Sequence, residues 1–116
     1  MLTRSPMNST DLSTHQIIFI ENRHEHLYGE LIQVIEDRGM SWIRPLALVQ
    51  HPTDAIDPAV FDLRDGPDVI CPTPLLKAAL DTEWLPVWVA LQQLPCGEVA
   101  TEAHAKLRAL LRAVVG

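Results

Sequence analysis

The chain has 116 residues, 47% of them hydrophobic and 21% charged, with nine Lys/Arg against fifteen Asp/Glu. That length and composition fit one small globular domain with enough chain to bury a core, without disulfides or a structural metal. A formal charge of -6 with no basic run excludes an interface built on phosphate neutralisation, so no nucleic-acid partner is expected. The longest apolar run, the eight residues Trp84 to Leu91, excludes a bilayer-spanning helix of about 20 residues.

Residues 1–14 are rich in Ser, Thr and Asn and poor in apolar groups, which predicts a disordered tail ahead of a single domain over 15–116. Ile17 to Ile20 form a β-branched and aromatic block that suits a buried strand, and a helical turn fits at this length too. Residues 21–26 (ENRHEH) are polar and read as a connection. From Leu27 to Gln50 two apolar stretches flank EDRG, with Gly39 available for a positive φ, and predict a β-hairpin. Tyr28, Leu31, Ile32 and Ile35 also lie at helical spacing. Gly29 and the β-branched Ile32, Val34 and Ile35 weigh against that helix. Pro45 marks an edge position or a bulge.

Residues 51–58 read as a loop. AVFDLR and PDVICP bracket Asp65-Gly66 and predict a second, shorter hairpin. Thr73-Pro74 then starts a short helix through LLKAAL. Asp81 or Thr82 opens the next helix, whose start Pro86 pins to about 82–85, because proline is tolerated only near the first turn. Trp84, Val87, Trp88 and Leu91 share one stripe of this helix, while Leu85, Val89 and Ala90 make its other side apolar, so it must be covered on more than one side. A last amphipathic helix begins at Thr101-Glu102 and repeats Leu107, Leu110, Leu111 and Val114. Strands followed by helices predict an α+β domain: a four-stranded antiparallel sheet, roll-like, with helices packed on one face.

Cys71 and Cys96 form no CxxC and have no His at finger spacing, and no export signal is visible after Arg4, so a reduced cytoplasmic chain is expected. No P-loop, GxGxxG, GxSxG or HExxH occurs, and no cofactor is expected. His24 and His26 would face the same side of an extended strand, as a chelate requires, but no third ligand is identifiable. Two histidines in a polar connector are more often solvated. Asp62, Arg64, Asp65 and Asp68 concentrate charge around the second hairpin, either as a clamp for a partner or as a solvated turn with an ion pair.

Trp42, Trp84 and Trp88 are large rings in a chain with 5% aromatics and are either core or contact residues. Arg44 alternates with Trp42 and is the polar contact expected beside it. Three segments, SWIRPLALV at 41–49, DLRDGPDVICP at 62–72 and ALDTEWLPVWVAL at 79–91, resemble a small conserved protein family of cyanobacteria. The resemblance implies a four-stranded α+β roll with helices on one side, no known catalysis, and a link in at least one member to regulation of biofilm formation. It marks Trp42, Arg44, Pro45, Asp62, Arg64, Asp81 and Glu83 for interaction or for fold maintenance.

The reading that follows is a non-enzymatic regulatory or adaptor domain. It would bind a protein partner or a small apolar ligand through a hydrophobic pocket edged by charge, with Trp42, Arg44, Asp62, Arg64, Trp84 and Trp88 as binding residues. A metal-dependent hydrolase using His24, His26 and the acidic hairpin is the alternative. A purely structural subunit of a larger complex is the third expectation, in which the isolated chain self-associates or aggregates through the exposed helix that carries Trp84 and Trp88.

Overall fold

A computed structural model describes residues 12–51, 58–94 and 100–115. The tail up to residue 11, residues 52–57 and Cys96 lie outside them. The described chain runs through strands β1 (Ile17–Asn22), β2 (Glu25–Ile35), β3 (Met40–Gln50), β4 (Ala59–Asp62), β5 (Val69–Pro72) and β6 (Lys77–Ala78), then helices α1 (Asp81–Gln92) and α2 (Ala100–Val115). The α+β class stands. The antiparallel sheet has six strands rather than four, in the order β4-β3-β2-β1-β6, with β5 also on β3.

The long hairpin β2–β3 forms where the sequence places it. Gly39 takes the left-handed conformation (φ 64°) that closes the single 3-10 turn between the strands. β1 pairs with β2 from Ile17↔Glu30 to Asn22↔Glu25, so the predicted six-residue connection shrinks to Arg23-His24. Polar side chains at a strand end incur little burial cost, and their polarity hid the last two pairs of the ladder. Two register shifts interrupt β2–β3. At the first, Gly29 faces Pro45, and a Cβ on Gly29 would lie 3.0 Å from the Arg44 carbonyl oxygen, a close approach that explains this mid-strand glycine. Pro45 therefore sits at a bulge, but in an interior strand, not at an edge.

β4 and β5 do not pair with each other. β4 lies along Ala47–Gln50 and β5 along Met40–Ile43, both antiparallel to β3, so the two run end to end as one interrupted edge strand. Asp65, at φ 71°, turns the excursion between them rather than a hairpin. Pro45 falls in the gap that this interruption leaves. The predicted helix at Thr73 is also corrected: Thr73–Leu75 is one 3-10 turn, followed by β6 on the far edge of the sheet. The Thr73 hydroxyl, read as a helix cap, instead lies 2.7 Å from the Ser41 hydroxyl inside the core. That pairing satisfies two buried groups at once.

The helices cover opposite faces, which corrects the one-face arrangement. Ile18, Ile20, Leu27 and Leu48 pack with Ala103, Leu107 and Leu110 of α2. Their neighbours of opposite parity, Ile17, Phe19, Tyr28, Ala47 and Val49, pack with Val87 and Leu91 of α1. Strand periodicity of two sends alternate residues to opposite faces, and both sets are apolar. An apolar-polar alternation would have left one face open. α2 is amphipathic as its leucine spacing predicts.

α1 starts at Asp81, ahead of the start near 82–85 expected from the proline, and carries Pro86 in its second turn. The missing Pro86 N–H leaves the Thr82 carbonyl without its helical donor, which is tolerable because Thr82 is exposed. The Glu83 carboxylate accepts the Leu80 N–H at 2.9 Å, one arm of a capping box. α1 was expected to be covered on more than one side. It buries Val87 and Leu91, while Leu80, Leu85, Val89 and Trp88 are 63%, 54%, 54% and 39% exposed.

Candidate functional site

Between α1 and the sheet face it covers lies a half-open cavity of about 550 Å³. Strand alternation supplies its floor. His26 and Tyr28 project from β2, and Val49 and Val60 from β3 and β4. His26 is paired with Val49 across the strands, so the floor is contiguous. Glu83, Pro86, Val87 and Ala90 form the helical wall, and His51 and Pro58 complete the lining. The walls are mainly apolar, and a side chain as small as Ala90 at the contact leaves room between helix and sheet.

The polar groups are grouped. The His26 and His51 rings meet edge to face with centroids 5.4 Å apart, and His26 stacks on Tyr28 at 6.1 Å. The His51 N–H donates to the His24 carbonyl at 2.8 Å and so fixes the chain beside the pocket. Burial pushes the His26 pKa down, with Glu21 and Glu83 pulling the other way and His51 and Lys77 adding to the lowering. Burial also pushes the Tyr28 phenol up, and the Glu83 charge adds to it. The cavity thus favours uncharged forms of both.

A pH effect on stability follows. A histidine whose folded pKa lies below its unfolded value of about 6.5 binds its proton more readily once unfolded. Stability is then held above that pH and lost as the pH falls from it toward the folded value. Urea unfolding midpoints are expected to drop between pH 7.5 and 5, and to drop less in His26→Gln; parallel profiles would show that His26 is not the titrating group. Asp62 and Asp68, lowered by Arg64 and Arg44 respectively, hold their contribution above the ordinary aspartate range and stay out of this window.

The residues read as binding residues from sequence do not line the cavity. Trp42 and Arg44 are brought together as expected, but by a shared acceptor. The Trp42 Nε1–H donates to Asp68 Oδ2 at 2.8 Å and the Arg44 Nε–H to Asp68 Oδ1 at 3.1 Å. Asp62 and Arg64 form a bidentate pair, at 3.0 Å and 2.9 Å, and Arg64 reaches on to Gln92 Oε1 and the Leu91 carbonyl at the end of α1. Trp84 packs on Tyr28 at 5.7 Å and on Trp88 at 6.0 Å, and the Arg64 guanidinium lies 6.0 Å from the Trp88 ring. Asp62, Arg64, Trp84 and Trp88 thus brace the helix that walls the pocket, whereas Trp42 and Arg44 meet on Asp68.

His24 lies in the exposed turn and His26 on the pocket floor, and no three His, Cys, Asp or Glu side chains converge as a metal would require among the described residues. Cys71 is buried, its thiol pushed up to about 11, and is a poor nucleophile there. Tyr28, Val49, His51, Pro86 and Ala90 were missed as site residues. Their one signal in sequence is the i, i+2 spacing of His26 with Tyr28 and of Val49 with His51. Compared with known proteins, the chain matches no family model, no curated protein and no solved structure.

Proposed function

We propose that the protein is a non-catalytic binding module of the cytoplasm that holds a small, largely apolar ligand in the cavity beneath α1. The observation that carries this reading is the cavity itself. Its 550 Å³ falls within the range of about 300–1,000 Å³ of small-molecule sites, and it has the usual make-up of apolar walls with a few convergent polar groups. The charged edge is Glu83. The segments that resemble the cyanobacterial family extend the proposal to a regulatory or adaptor role, with control of biofilm formation as its setting.

A protein partner is the second reading, favoured by the outer face of α1, where Leu85 and Val89 are both 54% exposed one turn apart. The two readings share one helix. Calorimetric titration with phenylpropanol, a neutral aromatic probe, separates them. The wild type is expected to bind, and Ala90→Phe, which fills the cavity, to bind at least about tenfold more weakly with an unchanged circular dichroism spectrum. Equal binding by the two would place the probe elsewhere and remove the cavity from the function.

A further inference from the structure

We infer that the cavity selects a ligand bearing a protonated amine on an apolar body: an organic ammonium rather than a carboxylate or a neutral hydrocarbon. This rests on the cavity being a ligand site. The case begins with charge. Among the described residues lining the cavity there is no Lys or Arg, and the ionisable groups are Glu83, the two imidazoles and the Tyr28 phenol. The nearby Lys77 ammonium is committed to Glu21 Oε1 at 3.0 Å and lies 6.0 Å from the Phe19 ring centroid. An anionic head group would therefore meet a carboxylate and an uncharged His26 with no lining cation to pair it, a combination that disfavours it.

An ammonium meets the reverse. The Glu83 carboxylate gives one oxygen to the Leu80 N–H, and a carboxylate has about four acceptor sites over its two oxygens, so capping does not exhaust it. Its charge is felt across the cavity, where it adds to the burial that raises the Tyr28 phenol and opposes in part the burial that lowers the His26 imidazole. A neutral imidazole offers a ring nitrogen as acceptor, and the Tyr28 ring supplies a π-face to a cation. The net charge of -6 on the whole chain adds attraction at longer range. The neutral body of the ligand would lie along Val49, Val60 and Val87.

A matched series tests this: phenylpropylamine, phenylpropanol and phenylpropanoate, titrated at pH 7.5 into the wild type and into Glu83→Gln. Glutamine keeps an oxygen for the Leu80 N–H, since a capping box accepts Gln as well as Glu, so the substitution removes charge while leaving the helix start in place. The wild type is expected to bind the amine about tenfold more tightly than the acid, with the alcohol between. In Glu83→Gln the amine should fall to the level of the alcohol while the alcohol changes by less than about twofold.

Binding of the alcohol with no preference for the amine, or with the acid tightest, overturns the ammonium inference and leaves the cavity reading standing. Failure of all three probes overturns the cavity reading itself. An amine preference that survives in Glu83→Gln overturns the role given to Glu83. If that variant does not fold, the wild-type order of the three probes decides the question alone.

Discussion

Arg64→Ala is expected to lower the stability of the protein by about 2–3 kcal/mol, read as a shift of the urea unfolding midpoint with an unchanged slope. Its guanidinium is paired in bidentate fashion with Asp62, accepted by Gln92 Oε1 at 3.0 Å and by the Leu91 carbonyl at 3.2 Å. Both ion-pair partners are more than two-thirds buried, so solvent screens the pair less than at an open surface. Removing the side chain takes two charged donors from Asp62, a carboxylate held low by that pair, leaving it the backbone N–H of residue 64, and takes one donor from the Leu91 carbonyl, which keeps the Leu94 N–H. Arg64→Lys should recover less than half of the loss, because an ammonium cannot reproduce the planar fork that grips Asp62. In Asp62→Asn the further cost of Arg64→Ala should shrink, as a double-mutant cycle would measure. A loss below about 0.5 kcal/mol for Arg64→Ala would put Arg64 among ordinary surface residues and dissolve the brace it forms between β4 and α1.

That expectation takes up the fold-maintenance side of the two roles that the sequence leaves open for Arg64, and what the sequence lacks to choose between them is physical. Composition and spacing identify Arg64 and Asp62 as a charged pair at a turn, and the structure keeps the pair. What they cannot supply is the third element, since the carbonyl that Arg64 caps lies 27 positions further along the chain. The same limit runs through the fold. The β2–β3 hairpin was legible because its signals are local: β-branched runs, a polar turn and a glycine with φ 64°. The last helix was legible because Leu107, Leu110, Leu111 and Val114 repeat over more than two turns. β4 and β5 were each legible as strands, but the choice of β3 over each other as a partner is non-local, and Asp65-Gly66 is compatible with either outcome.

The faces of the sheet were hidden by the same logic. A strand apolar on alternate positions announces one buried face, whereas β1 is apolar on four successive residues, Ile17 to Ile20, and announces only that both faces are covered. α1 is apolar nearly all round, so its periodicity names no inward side. The packing of Val87 and Leu91 against Tyr28 and Val49 settles that side in the folded chain. The cavity inherits this difficulty, being defined by one helix and three strands whose meeting no short window contains. His26 and His51 were visible as residues, but their meeting depends on β2 and β3 being paired to the last residues of the hairpin.

Leu91→Ala is expected to cost about 2–5 kcal/mol locally and to undock α1 before the rest of the domain yields. Leu91 is fully buried, and Val87 is the other buried residue of the helix, so the alanine variant leaves α1 one buried side chain and a void beside Ala47 and Val49. Its carbonyl is also the acceptor for Arg64, which makes this residue the convergence of both attachments of the helix. α2 is held differently, with Ala103, Leu107 and Leu110 all buried against the opposite face. Amide hydrogen exchange should therefore show α1 opening at a lower free energy than β2 and β3 in the wild type, with the gap widened in Leu91→Ala. Leu107→Ala should instead lower the protection of strands and helices together. Phenylpropanol binding should disappear in Leu91→Ala while the strands remain protected, because the helix carries Pro86, Val87 and Ala90 of the cavity wall away with it. Equal opening free energies for α1 and the central strands, in both proteins, would instead make α1 part of the global folding unit. The cavity would then open only when the whole domain unfolds.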